Sequence, residues 1–257
     1  MNLDYYKGRG GITSTGLKII AVVIMLIDHL GASILERFIT ANGAADAMYN
    51  FDFSGPMGNY IIADAIIRLI GRLAFPIFCF CIVEGFHYTH SKRNYFSRMF
   101  LFALISEIPF DFAHETTIWN FEHQNVFWTF TIAMAGLWLA ETIAERRSGQ
   151  KGNKLIMLGT MIIACVIAYA LNTDYDIMGI LTVYVMYFVR TRGRKRTMAW
   201  GSLILTLGNI VEFTAFLDII LIHFYNGKRG RGMKYFFYVF YPLHLLILGI
   251  ICKSMGI

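Results

Sequence analysis

Long apolar runs recur along the whole chain, and this pattern limits the fold more than any other feature. A helix needs about 20 mostly apolar residues to cross the hydrocarbon core of a bilayer, and backbone inside lipid must satisfy its own hydrogen bonds. The pattern therefore predicts an all-α fold, a polytopic transmembrane helix bundle. No linker or repeat divides the sequence, so residues 1–257 are predicted to form a single integral membrane domain. The apolar runs lie at 16–35, 60–88, 96–113, 125–144, 154–171, 176–189, 198–224 and 235–252.

Composition supports the same prediction. Hydrophobic residues make up 56% of the chain and charged residues 16%, and the mean hydropathy of +0.53 exceeds what the core of a soluble domain requires. Within the first apolar run, the opening apolar stretch is followed by the polar pair Asp28-His29 and not by a small-residue cleavage site, so we expect the run to stay as the first helix. The four cysteines lie inside apolar runs without a CxxC pair. The sequence therefore predicts neither a metal site nor a disulfide.

The excess of basic residues, a formal net charge of +6, predicts membrane orientation and argues against nucleic acid as a partner. The Lys and Arg residues lie in short loops between apolar runs, and these loops alternate between basic-rich and basic-poor. The positive-inside rule predicts a cytoplasmic N terminus, and we expect the protein to lie in the cell membrane. Successive segments carry three basic residues in 1–18, one in 36–60, three in 88–98, none in 113–125, four in 145–154, none in 171–176 and five in 190–196.

One loop breaks this alternation. Residues 225–234 carry four basic residues, yet they would be external if residues 198–224 crossed the membrane once. Asn209 and Glu212 in the middle of that run suit the tip of a tight or re-entrant hairpin. We expect the hairpin, which gives nine membrane passes with an external C terminus; a single long helix would give eight.

Ionisable residues inside the first apolar run form the first candidate site, because such groups are costly in lipid. Lys18 and His29 are eleven residues apart, so in a helix they face the same way, about 16 Å apart along the axis. Asp28 adds a second polar group beside His29. The alternative is that Lys18 is a snorkelling anchor and His29 a hydrogen-bonded interior residue.

The second run carries a charged stripe of Asp64, Arg68 and Arg72 at four-residue steps. Asp64 and Arg68 are explained equally well by an ion pair near the interface. Arg72 lies deeper in the predicted span, just before Pro76. Glu84 follows later in the same run and is a further candidate for binding a substrate.

Two more candidate groups lie in later runs. Glu107 and Asp111 are four residues apart on either side of Pro109, and they meet Asn125 if the third and fourth spans are antiparallel neighbours. The alternative is a helix-end cap with support for a proline kink. In the last run, His244 places another imidazole within a predicted span.

The loop before the last run offers a phosphate-binding candidate. Residues 225–230, with the sequence YNGKRG, are basic and contain glycine, so their backbone is expected to form a turn that can approach phosphates. Arg229 is the candidate side chain in this loop. A plain positive-inside loop explains the same residues equally well.

These groups suit transfer of a group from a cytosolic donor to an acceptor that reaches the membrane core, with His29 as general base. A small-molecule or ion-coupled membrane transporter would use the same residue types. The chemistry of the residues alone leaves both classes open.

Seven motifs, in order over nearly the whole chain, resemble the TraX family. The combination of ISEIPFD with YNGKRG is specific to that resemblance. The basic residue and histidine of the first run, Lys18 and His29, also resemble the first-helix motif of the acyltransferase 3 family. The motifs are LKIIAVVIMLIDHLGA (17–32), IGRLAFPIFCFCIVEGF (70–86), LFALISEIPFDFA (101–113), NVFWTF (125–130), DYDIMGIL (174–181), YNGKRG (225–230) and FYPLHLLIL (240–248).

The resemblance implies a membrane acetyltransferase that uses acetyl-CoA. TraX proteins are named for a conjugation protein that acetylates the pilin N terminus, so the implied acceptor is an amine or hydroxyl of a pilin or an envelope glycan. His29 is then the catalytic base, oriented or charge-balanced by Asp28. The arginine motif of the acyltransferase 3 family has no certain equivalent here, because three residues separate Arg68 from Arg72. The residues expected to engage acetyl-CoA are Lys18, Arg72 and Arg229; those expected on the acceptor side are Glu84, Glu107, Asp111, Asn125 and His244.

Three hypotheses follow for experiment. An acetyltransferase consumes thioester and loses this activity in His29→Ala. A transporter moves substrate without acetyl-CoA. A non-catalytic assembly factor for a surface structure is unaffected by His29→Ala.

Overall fold

A computed structural model describes residues 10–115, 120, 122–148 and 153–257. Within these residues the regular structure is entirely helical, which confirms the all-α prediction. The α-helices are α1 (Ser14–Leu30), α2 (Glu36–Ala41), α3 (Ala45–Tyr49), α4 (Gly58–Gly71), α5 (Ala74–Tyr88), α6 (Lys92–Glu115), α7 (Val126–Ser148), α8 (Lys154–Ala170), α9 (Asp176–Val189), α10 (Arg194–Gly208), α11 (Asp218–Phe224) and α12 (Lys234–Met255).

Four helical segments of this part of the chain are long and apolar enough to cross a membrane. This finding supports the prediction of a membrane protein. Helix Lys154–Ala170 is apolar but shorter. The count of eight to nine passes stays a prediction. The four segments are Ser14–Ala41, Gly58–Tyr88, Val126–Arg147 and Lys234–Met255.

The described chain divides into two compact units. The first contains the segment up to Phe75, the segment that begins at Ile108, and Tyr225–Ile257. It therefore holds α1 to α4, the end of α6, and α12. The second contains Pro76–Glu107 and the segment from Asn120 to Phe224. A single domain over the whole chain stays a prediction.

Two irregularities interrupt the predicted first and second spans. A π-helical turn at Gly31–Leu35 separates α1 from α2, and such turns are frequent at functional sites. In the second run, a turn at Arg72 and Leu73 separates α4 from α5. Pro76 is then the third residue of α5, where the missing N–H removes no hydrogen bond within the helix.

In the first unit, α1 and α12 lie side by side and run in the same direction. The Lys18 ammonium lies 5.9 Å from the centre of the Phe237 ring, near the start of both helices. Towards their ends, the Cys252 thiol donates to the carbonyl of Ser33 at 3.1 Å. Parallel neighbours begin on the same side of a membrane, so the basic loop before α12 lies on the same side as the start of α1.

The run 198–224 breaks where the sequence predicted. Helix α10 ends at Gly208, and Asn209 has extended backbone angles, with its side-chain oxygen accepting from the N–H of Val211 at 3.1 Å. The Ser202 hydroxyl donates to the carbonyl of Ala215 at 2.9 Å. The segment after Asn209 therefore folds back against α10.

Candidate active site

Two of the predicted histidines, His29 on α1 and His244 on α12, contact each other in the first unit. Nδ1 of His29 lies 2.6 Å from Nε2 of His244. His29 is half-buried, whereas His244 is buried, with 5% of its surface exposed. Their positions, 215 residues apart in the chain, give no sequence signal for this contact.

The two imidazole rings lie edge to edge in one plane. Their planes differ by 2° and their centres are 4.9 Å apart. A nitrogen-to-nitrogen distance of 2.6 Å is far shorter than the spacing of about 3.5 Å between atoms of stacked rings. The contact is therefore a hydrogen bond in the plane of both rings, along the lone pair of the accepting nitrogen.

The backbone of α12 sets the direction of this hydrogen bond. Nδ1 of His244 lies 2.7 Å from the carbonyl oxygen of Phe240. A carbonyl only accepts, so Nδ1 of His244 carries a proton, and Nε2 of a neutral His244 is an acceptor. His29 then donates from Nδ1, and its own Nε2, on the far side of the ring, holds a lone pair.

Two more rings surround His29. The ring of His114, on α6, meets it edge to face with centres 6.0 Å apart, and the ring of Tyr241 lies at the same distance. Nδ1 of His114 lies 3.0 Å from the carbonyl oxygen of Phe110. A carbonyl only accepts, so Nδ1 of His114 is the donor. His114 was not among the residues predicted from the sequence, because it follows directly after the end of an apolar run.

Asp28 is held by an arginine and not by His29. Its carboxylate lies 2.7 Å from Nη1 of Arg68, whose Nε is 3.0 Å from Glu36. Asp28 was expected to orient or charge-balance His29, but its side chain pairs with Arg68, and adjacent helical residues point about 100° apart. The structure gives the role of partner to His244 instead.

Arg68 is thus the central cation of a polar cluster formed by Asp28, Glu36, Asp64, Arg68 and Arg72. Arg68 pairs with the two carboxylates from α1 and α2, and it also lies near enough to Asp64 to attract it. Arg72 lies near enough to Asp28 and Glu36 to attract both. Among the residues expected to engage acetyl-CoA, Arg72 is therefore close to the segment that carries His29.

The 225–230 motif packs its backbone against the start of α1. The carbonyls of Lys228 and Arg229 accept from the N–H groups of Ser14 and Thr15, at 2.8 and 3.1 Å. These carbonyls satisfy N–H groups that would otherwise be free to bind an anion. The N–H groups at the start of α1 are therefore engaged by the loop, and phosphate binding by the loop itself stays a prediction; the Arg229 side chain is exposed.

Asn125 and Glu107 meet in the second unit, as predicted. The Asn125 amide nitrogen donates to Glu107, and the Trp128 indole donates to the same carboxylate at 2.7 Å. The Asn125 side-chain oxygen accepts from the N–H of Phe127 at 3.0 Å, so Asn125 caps the start of α7. This geometry matches the alternative of a helix cap. Asp111 is buried, with 3% of its surface exposed.

Glu84 also lies in the second unit, 3.7 Å from Nε of Arg194. A stronger polar contact there was not predicted: the buried Glu141 accepts from Lys92 and from the hydroxyl of Tyr187. These residues tie α6, α7 and α9 together. They give the second unit a structural polar core.

The fold and the histidine cluster define the class: a helical integral membrane protein with paired imidazoles inside one of its units. The family model described as TraX protein matches residues 14–252. The chain belongs to the TraX family, which confirms the resemblance of the motifs.

A curated relative supports the same family. The chain is 25% identical to the probable fimbrial assembly protein FimC, serogroup H1, of Dichelobacter nodosus. The similarity covers 90% of this chain and 92% of that protein. No solved structure matches.

Proposed function

We propose that this protein is a membrane-embedded acetyltransferase. It moves an acetyl group from cytosolic acetyl-CoA to an amine or hydroxyl of a membrane or cell-surface acceptor. The observation that carries the proposal is the hydrogen bond from His29 to His244, which leaves Nε2 of a half-buried imidazole ready to accept a proton.

In the proposed reaction, Nε2 of His29 removes a proton from the acceptor amine or hydroxyl. The acceptor atom attacks the thioester carbonyl carbon and forms the new bond to the acetyl group. The carbon–sulfur bond then breaks, and the leaving thiolate of coenzyme A takes up the proton held by His29. The net products are the acetylated acceptor and free coenzyme A, so no other reactant is needed.

The donor enters from the side on which α1 begins. The N terminus is cytoplasmic, in a chain of eight or nine passes, with the Asn209 hairpin as one of them. Lys18 and Arg229 then stand at the cytoplasmic entrance, where cations attract the phosphates of acetyl-CoA. His29 lies about three helical turns, or 16 Å, further along α1, within reach of a long thioester arm.

The acceptor is a pilin or another surface component. The fimbrial name of the Dichelobacter nodosus relative supports a pilin-like protein, and an envelope glycan is the second candidate. Both reach the enzyme through the membrane, so lipid, acetyl-CoA and the acceptor are its partners.

The test uses purified protein in lipid nanodiscs, radiolabelled acetyl-CoA and the envelope fraction of a deletion strain as acceptor. We expect acetyl transfer by the wild type and a loss of about 100- to 10,000-fold in His29→Ala, the range for removal of a general base. His90→Ala is the matched control, because His90 is exposed in the loop before α6. Equal transfer by the wild type and His29→Ala would reject the proposal.

A transporter is the second candidate, and one observation favours it. The carboxyl of Asp218 is fully buried in the segment that follows the Asn209 break, and neither oxygen has a hydrogen-bond partner. Broken helices with buried polar groups form the substrate sites of many transporters. Substrate flux into proteoliposomes without acetyl-CoA, abolished in Asp218→Asn but not in His29→Ala, would support this alternative.

A further inference from the structure

The hydrogen-bond chain on α12 assigns a specific role to His244. We propose that His244 is the positioning residue that fixes the tautomer and the ring orientation of His29. This inference rests on the proposed acetyl transfer, in which His29 is the base.

The chain runs from a fixed backbone group to the reactive nitrogen. The Phe240 carbonyl belongs to α12 and lies one helical turn before His244, so it holds the Nδ1 proton of that ring at 2.7 Å. Nε2 of His244 therefore faces His29 as an acceptor and holds the Nδ1 proton of His29 at 2.6 Å. Only one tautomer of a neutral His29 satisfies this contact, and in that tautomer Nε2 is the base.

The same hydrogen bond stabilises the protonated form of His29 during the reaction. When Nε2 of His29 takes a proton, the Nδ1–H bond to His244 becomes charge-assisted, and such bonds are roughly twice as strong as neutral ones. The geometry needs no movement at that moment, because the two rings already lie in one plane. A preorganised acceptor of this kind stabilises the imidazolium as it forms.

His244 acts through His29 and not on the substrate. Both of its ring nitrogens are engaged, Nδ1 by the Phe240 carbonyl and Nε2 by His29. The proposed positioning role replaces the acceptor-binding role that we expected for His244 from the sequence. It also distinguishes His244 from His114, which meets His29 edge to face at 6.0 Å between ring centres.

The test compares His244→Gln with His244→Ala in the envelope-fraction assay. A glutamine side chain reaches the place of the imidazole Nε2, and its amide oxygen can accept from Nδ1 of His29. We expect His244→Ala to lower kcat by up to about 10,000-fold, as when the partner that fixes a catalytic histidine is lost, with KM for acetyl-CoA unchanged. We expect His244→Gln to recover at least part of that loss.

Nitrogen NMR of protein with isotope-labelled histidine gives an independent readout. We expect the proton of neutral His29 on Nδ1 in the wild type and in His244→Gln, and a shift towards Nε2 in His244→Ala. The Phe240 carbonyl is a backbone group that a substitution cannot remove. The wild-type spectrum tests the hydrogen-bond chain without any variant, so this readout remains even where a variant fails to fold.

The outcomes separate this inference from the proposed function. Wild-type protein without acetyl transfer, but with the proton of His29 on Nδ1, rejects the enzyme and retains the hydrogen-bond chain. A wild-type proton on Nε2 overturns the inference whatever the activity. An unchanged kcat in a folded His244→Ala also overturns it.

Discussion

Replacement of Gly71 by alanine tests the close approach of α1 to α4 that holds Asp28 against Arg68. A methyl group at Gly71 would lie less than 3.0 Å from three atoms of Asp28, including its Cβ. The Cβ atom is fixed to the helix, so side-chain rotation cannot relieve the overlap and the helices must separate. Overpacking of this kind costs about 1–3 kcal/mol, equivalent to a fall in Tm of about 2–12 °C for a chain of this size.

The measurement is thermal unfolding of purified Gly71→Ala in detergent, followed by circular dichroism. Gly159→Ala is the matched control, because Gly159 is also helical and has no atom within 4 Å of the added methyl group. There the better helix propensity of alanine should raise stability or leave it unchanged. If Gly71→Ala unfolds at the same temperature as Gly159→Ala, the close contact between Gly71 and Asp28 is refuted.

Further predictions concern three other polar contacts. Arg68→Met leaves Asp28 and Glu36 without their shared cation, and because these side chains are partly exposed we expect a loss of about 1–3 kcal/mol, partly restored by adding Asp28→Asn. Chemical unfolding of both variants checks this, and an unchanged stability of Arg68→Met would contradict it. Asn125→Ala should lower the unfolding temperature more than Asn153→Ala, since each removes a helix cap worth about 1 kcal/mol but only Asn125 also donates to Glu107. Lys18→Met should raise KM for acetyl-CoA at unchanged kcat in the envelope assay, and a change in kcat alone would argue against an entrance role.

Much of the fold was predictable because lipid restricts what a chain can do. Apolar runs predicted the helices closely, and the break at Asn209 was predictable because two polar residues and a misplaced basic loop pointed to the same place. The turn between α4 and α5 was not predicted. It lies at Arg72 and Leu73, inside a run that we expected to form one span.

The residues of the candidate site could be predicted from the sequence better than the contacts between them. His29 and His244 were recognisable because imidazoles are costly in a span, but their hydrogen bond depends on which helices are neighbours, and that is decided by packing. Asp28 was expected to act with the adjacent His29, yet helix geometry directs it to Arg68. His114 was missed because the end of an apolar run was taken as the end of the helix.

The hydrogen bond between His29 and His244 joins the first and the last of the described helices, with consequences for biosynthesis. During synthesis, His29 is made early, whereas His244 is made only after almost every other described segment. A nascent or prematurely terminated product would therefore contain His29 without the ring that orients it. Under the proposed function, acetyl transfer should therefore appear only after synthesis reaches α12.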